Sequence, residues 1–254
     1  MSVNKEYVDY QPIADSLKDK IIAITGAGDG IGRAAALGFA KHGAIVILLG
    51  RTIQKLEKVY DQIVNDGGAE PAIYPINFEG ATEQDYQDLA QNFVKEFDHL
   101  DGLLHNASEL GQRTPLAQYS AKVWNSVLQT NVTAPFLLTR ELIPLLEKAP
   151  QASVVFTGSS VGHQGRAYWG AYAVSKAATE NLMQVFADEL SETTHIRVNS
   201  INPGATRTKM RANAYPGEEP STLKKPEAIL GVYYFLMGDE SVGRSGEQFN
   251  AQSR

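Results

Sequence analysis

Tyr172 and Lys176 stand four residues apart in GAYAVSKAATENLMQVFADELSE, so in a helix their side chains rise from one face. A phenol beside an ammonium makes a tunable proton donor. A free phenol titrates too high to act as acid and base near neutrality. An ammonium ~4 Å away at an effective dielectric of ~20 contributes roughly 4 kcal/mol, enough to lower the phenol's pKa by about 3. Ser159, thirteen positions before Tyr172, follows an apolar run at residues 153–157 that reads as a buried strand. A strand end and a helix start can converge, and a serine hydroxyl there can hold a carbonyl oxygen as negative charge develops on it. The chemistry that suits the three groups is hydride transfer at a carbonyl carbon, with the oxygen gaining or losing a proton in step. In a chain with 11 tyrosines, a Tyr-x-x-x-Lys pair also arises by chance, and Ser159 with Ser160 also reads as a plain turn. The surrounding elements must carry the assignment.

Those elements begin at residues 20–25, KIIAIT, a short apolar run followed at once by GAGDGIGRAAALGFAKHG, a glycine-rich turn opening a helix. Gly26, Gly30 and Gly32 have the spacing of a phosphate cradle, with Gly28, Asp29 and Ile31 between them. The first glycine turns the chain, the second lets backbone approach a pyrophosphate and the third lets the helix pack on the strand. Further strand-length runs at 44–49, 70–78, 102–105, 196–201 and 248–251 are interleaved with helical patterns at 53–65, 83–97, 119–148 and 226–237. Repeated strand-helix units without hairpin signals predict one α/β domain over residues 20–254. Its architecture is a Rossmann-type, doubly wound parallel sheet of about seven strands, with ligand at their carboxyl ends. Residues 1–19, polar and carrying Pro12, read as a surface extension. In the 119–148 helix Pro135 follows Asn131 by four, so it has no amide hydrogen to give the Asn131 carbonyl, which is left free to hold a water.

Composition narrows the function. A formal net charge of −6 without a basic block argues against a nucleic-acid partner. Cysteine is absent and the five histidines lack ligand spacing, so no metal site is expected. No run approaches the ~18 apolar residues of a membrane span and the N-terminus lacks a signal pattern, which predicts a cytoplasmic protein acting on small molecules.

TGAGDGIG, Asn131, Ser159, Tyr172 and Lys176 together resemble the short-chain dehydrogenase/reductase family, over nearly the whole chain. Within it, ILLGR, HNAS, GRAYWGAY and NPGATRTKM are similar to one branch of bacterial oxidoreductases. The resemblance implies that Lys176 contacts the cofactor ribose and that Asn131 anchors a water linking Lys176 to solvent. It places Asn106 and Ala107 along the adenosine ribose, Asn77 at the adenine where the family has Asp, and Pro203 and Gly204 beside the nicotinamide. Thr208, with Thr206 in the same segment, falls at the carboxamide and pyrophosphate. His105 and Ser108 depart from the family's Asn-Asn-Ala-Gly, and His105 reads as a packed core residue. A homodimer or homotetramer through the two long helices is implied by the resemblance alone.

Cofactor choice is read at residues 50 and 51. Many NAD-binding relatives carry an acid at the end of this strand, whereas here Gly50 is followed by Arg51, a guanidinium suited to a 2′-phosphate. NADP(H) is therefore expected over NAD(H), with Asp29 in the glycine loop as an opposing charge. His163, Gln164, Tyr168 and Trp169 should face the substrate pocket, and residues 205–223 should form an irregular lid in which Arg207, Lys209 and Arg211 are solvated. The expected function is reduction of a carbonyl or oxidation of a secondary alcohol. The rival is a catalytically silent, nucleotide-sensing protein on the same fold.

Overall fold

The structure, a computed structural model, describes residues 4 and 6–253. The described residues contain seven strands: β1 (Ile21–Thr25), β2 (Ile45–Gly50), β3 (Ala72–Pro75), β4 (Gly102–His105), β5 (Ala152–Thr157), β6 (Ile196–Asn202) and β7 (Gln248–Asn250). They form one parallel sheet in the order β3-β2-β1-β4-β5-β6-β7, in a single α/β domain. The order reverses between β1 and β4, which opens a crevice at the carboxyl edge. Nine helices accompany them among the described residues: α1 (Gly30–Lys41), α2 (Ile53–Asn65), α3 (Glu83–Glu96), α4 (Ala121–Leu128), α5 (Ala134–Leu146), α6 (Ser160–His163), α7 (Gly170–Ser191), α8 (Lys209–Ala214) and α9 (Gly231–Met237).

The central strands are apolar throughout because both faces are covered. Ile22, Ile24, Val46 and Leu48 face α1, α2 and α9 through Phe39, Val59 and Tyr233. Their neighbours Ile21, Ala23, Ile47 and Leu49 face α3, α5 and α7 through Phe93, Leu142 and Met183. The two-residue period of a strand thus divides each run between two cores.

Four boundaries differ from expectation. The third strand covers only Ala72–Pro75, since an edge strand ends readily at proline and the Asn77 carbonyl then closes a turn with Gly80 and Ala81. The pattern at 119–148 is broken by a π-helical turn, Gln129–Thr133, in which the Ala134 amide reaches back five residues to Gln129. Pro135 explains it, because its ring excludes a normal helical turn there. The 226–237 pattern divides into a 3-10 turn, Pro226–Ile229, and α9. Residues 205–223, expected to be irregular, contain α8, capped by Thr208 Oγ1 on the Arg211 amide.

The N-terminal segment is more than a surface extension. Leu17 is fully buried, Tyr7 stacks on Phe235 with ring centroids 3.6 Å apart, and Asn4 bridges β7 through Gln248 and Asn250. Gly231 makes room for it: a Cβ there would lie 2.8 Å from the Tyr10 carbonyl oxygen.

Candidate active site

A cleft of about 840 Å³ runs along the carboxyl edge, from Asn77 and Arg51 at one end to Trp169 and Tyr215 at the other. Its floor is backbone. Gly26 has φ +69°, and a Cβ on it would lie 3.0 Å from Ala107 Cα; a Cβ on Gly32 would collide with the Gly26 carbonyl oxygen. Only glycine therefore permits this close crossing of β1, α1 and the segment after β4. Thr25 ties the layers together by accepting from the amides of Asn106 and Ala107, both at 2.9 Å. The amides of Ile31 and Gly32 in the first turn of α1 have no intrahelical acceptor, which suits them to a phosphate. Gly26, Gly28, Gly30, Ile31, Asn106 and Ala107 line this floor, whose shape and free amides fit a dinucleotide.

Asp29 behaves differently from its sequence reading as an opposing charge. It caps α1 through the Gly30 amide and binds two ammonium groups, Lys55 at 2.7 Å and Lys209 at 3.2 Å. Lys55 is the first cause of its depressed carboxyl pKa. Asp29 is thus neutralised locally, and Lys55, which sequence reasoning missed, adds positive charge beside Arg51. Arg51 itself makes no hydrogen bond or ion pair among the described residues and lines the cleft. Thr208 lies over Gly30, its Cγ2 3.4 Å from where a Cβ would stand. Pro203, Gly204 and Thr206 line the same wall, held by Gln252 Nε2, which donates to the Pro203 carbonyl at 2.8 Å and to Thr206 Oγ1 at 3.1 Å.

Ser159, Tyr172 and Lys176 all line the cleft, and the Ser159 hydroxyl and the Lys176 ammonium both lie beside Tyr172. β5 delivers Ser159 as the cap residue of α6, while α7 supplies the other two. The Lys176 ammonium lies 5.6 Å from the Tyr172 ring centroid and donates to the Thr157 carbonyl at 2.7 Å. The expected depression of the phenol pKa is not found. Burial raises Tyr172 to about 12, opposed by the Ser159 hydroxyl. Burial also lowers Lys176 to about 8, opposed by the Glu180 charge. Loss of water outweighs the attraction, because Lys176 is aimed at a backbone carbonyl rather than at the phenol oxygen.

Asn131 is placed beneath the cluster, 2% exposed. Its carbonyl, expected to be free, lies 3.0 Å from Thr179 Oγ1, whose single hydrogen it shares with the nearer Ser175 carbonyl at 2.8 Å. Its amide group bonds the Glu109 backbone on both sides and donates to Ser175 Oγ at 2.9 Å. Ser175 in turn donates to the Tyr172 carbonyl. Thr179 and Ser175 were not singled out in the sequence, although both lie on α7 within a turn of Lys176. His105 is buried as expected, hydrogen-bonded to Thr139 at 2.7 Å and stacked on Phe156, with burial lowering its pKa to about 3.

The substrate end departs from expectation. Of His163, Gln164, Tyr168 and Trp169, only Trp169 lines the cleft. Tyr168 is 55% exposed and His163 turns to Glu180. Trp169 packs against Tyr172 and Tyr215. Arg113, another residue the sequence did not announce, lays its guanidinium 4.0 Å from the Trp169 ring and donates to the Ala214 carbonyl, joining this wall to α8. Arg207, Lys209 and Arg211 are engaged rather than merely solvated. Arg207 donates to the Ser221 and Leu223 carbonyls, Lys209 pairs with Asp29, and Arg211 makes a two-pronged pair with Glu218.

A parallel sheet that reverses beside a glycine floor, with serine, tyrosine and lysine converging above it, defines a dinucleotide-dependent oxidoreductase site. The chain belongs to the short chain dehydrogenase family, whose pattern matches residues 20–219. It is 50% identical over 243 residues to the uncharacterized oxidoreductase YciK of Escherichia coli strain K12, covering 96% of each chain, in keeping with the bacterial branch that its wording resembles. A Pseudomonas syringae structure described as a short chain dehydrogenase superimposes with a TM-score of 0.94. It is 54% identical, and the match covers 96% of this chain and 99% of that one. A Shigella flexneri 2a relative solved with NADP superimposes at 0.93 with 50% identity, covering 95% of this chain and all of that one. No helix among the described residues is long and apolar enough to cross a membrane.

Proposed function

We propose that this chain is an NADP(H)-dependent oxidoreductase interconverting a carbonyl and a secondary alcohol, with Tyr172 as general acid and base. The observation that carries the reading is the convergence of Ser159, Tyr172 and Lys176 on one point of a glycine-floored cleft. The bound nicotinamide supplies or takes the hydride. Ser159 holds the substrate oxygen by its hydroxyl, and Tyr172, protonated at neutral pH, gives that oxygen its proton during reduction. Lys176 contacts the ribose and, as an ammonium, stabilises the phenolate that forms. Asn131 keeps the Glu109 loop and α7 in register and offers its remaining carbonyl lone pair to a water. Asn77 takes the adenine end, Arg51 with Lys55 the 2′-phosphate, and Pro203, Gly204, Thr206 and Thr208 the nicotinamide side. Solved relatives holding NADP and NADPH support the cofactor assignment. The substrate is small and reaches Tyr172 past Trp169 and Tyr215. The chain is a homodimer or homotetramer through α5 and α7, a reading supported by exposed Phe136, Val174 and Val185 on those helices.

The test is NADPH oxidation against a panel of aliphatic and aryl carbonyls, run beside a binding titration. Turnover of any carbonyl that Tyr172→Phe abolishes supports the reading. Tight NADPH binding without turnover across the panel would favour the nucleotide sensor instead.

A further inference from the structure

Glu180 has no task in the machinery described so far, yet it lies beneath it with 4% exposure. It follows Lys176 by four residues, as Lys176 follows Tyr172, so α7 stacks phenol, ammonium and carboxylate along one face. Its Oε2 accepts from Ser200 Oγ of β6 at 2.5 Å and from Gln248 Nε2 of β7 at 2.9 Å. Its Oε1 has no hydrogen-bond partner among the described residues and points at Gly158, where any Cβ would collide with it. Lys176 Nζ donates to the carbonyl of the adjoining Thr157. Two opposite charges therefore meet at one dipeptide, the one that immediately precedes Ser159.

The remaining neighbour of Oε1 is His163 on α6, whose Nε2 is 4.0 Å away and whose side chain is about one-third exposed. α6 approaches α7 this closely because residue 162 is glycine; a Cβ there would lie 2.8 Å from the Lys176 carbonyl carbon. Gly158 and Gly162 thus clear the space in which Glu180, Lys176 and His163 meet. The titratable groups facing the carboxylate and the ammonium are Tyr172 from α7, His163 from α6 and His105 from β4, the last buried and neutral.

We propose that Glu180 is a positioning residue of the reduction site, its buried carboxylate holding Lys176 charged from below. The proposal rests on the assignment of Lys176 to that site. A carboxylate buried with one bare oxygen is costly unless charge lies close by. Burial raises the Glu180 carboxyl pKa while the His163 and Lys176 charges oppose the rise, and the Glu180 charge opposes the fall at Lys176. Removing the carboxylate therefore lets Lys176 lose its proton at lower pH.

The test needs no substrate. Lys176 in the cofactor-free protein is acetylated with a small anhydride across a pH series, and its modification is read by peptide mass spectrometry. The wild-type midpoint is expected at about 8. Glu180→Gln, close in shape but uncharged, should lower it by about one pH unit. An unchanged midpoint in Glu180→Gln overturns the proposal. If that variant does not melt cooperatively, Glu180→Ala decides, and an unchanged midpoint there overturns the proposal equally. In turnover, the basic limb of kcat should move down with the midpoint, whereas a merely structural role lowers kcat equally at every pH. A wild type that reduces no carbonyl would sink the oxidoreductase reading but leave the labelling result standing.

Discussion

At the scale of single residues the site is governed by water removal. Burial sets Tyr172 at about 12 and Lys176 at about 8, so between pH 6 and 7 the phenol is protonated and the lysine is mostly an ammonium, the pair of states the proposed reduction needs. Raising the pH through about 8 takes the proton from Lys176 first. Carbonyl reduction should accordingly be flat on the acid side and fall above about pH 8, as a kcat/KM profile will show. Tyr172→Phe should abolish turnover while NADPH affinity stays within about threefold, because in the proposed mechanism the lost oxygen moves a proton and does not hold the cofactor. At the far end of the cleft, Arg51→Ala should remove most of a preference for NADPH over NADH. A charge-assisted pair is worth roughly 1.5 to 3 kcal/mol, about one to two decades in affinity. Asp29→Asn should change that preference by less than about threefold, since Lys55 and Lys209 already neutralise the carboxylate. Titrations of both cofactors into the three proteins check this, and equal affinities in the wild type would refute the Arg51 assignment.

At the scale of elements, the π-helical turn before α5 decides where Asn131 points. Pro135 removes an amide hydrogen and widens the turn, and the Asn131 carbonyl meets Thr179 instead of the next helical turn. Pro135→Ala should let residue 135 reclaim that carbonyl and tighten the turn. The Asn131 bonds to Glu109 and Ser175 would then move with it. We expect kcat to fall by about tenfold or more with a solvent isotope effect that grows, while the melting temperature changes by only a few degrees. Wild-type kcat in a folded Pro135→Ala protein would return the turn to a purely structural role.

At the scale of the molecule, the N-terminal segment closes the open edge of the sheet. β7 would otherwise present unpaired backbone groups; Asn4 takes them on both sides, and Tyr7 covers Phe235. Tyr7→Ala should cost roughly 2 to 3 kcal/mol of unfolding free energy, from lost burial and stacking together. Urea melts will measure it. Because Tyr7 does not line the cleft, NADPH affinity in the folded protein should not change; loss of both together would mean that the edge and the site unfold as one unit.

The sequence by itself determined the parallel sheet, the glycine floor and the three groups at the centre, because those depend on local signals: strand-length apolar runs, positions only glycine can occupy, and a four-residue spacing on one helix. It also placed His105 in the core, where an apolar strand ends. Contacts between distant segments were decided by the tertiary structure alone. Glu180 looks like any helical acid until Ser200 arrives from β6, Gln248 from β7 and Gly158 from the turn after β5. Asp29 looks repulsive until Lys55 and Lys209 arrive from two helices. Burial likewise set the pKa values of Tyr172 and Lys176 in directions that spacing could not supply. Coulomb attraction can be estimated from separation along a helix, but the loss of water opposing it depends on everything packed around the pair.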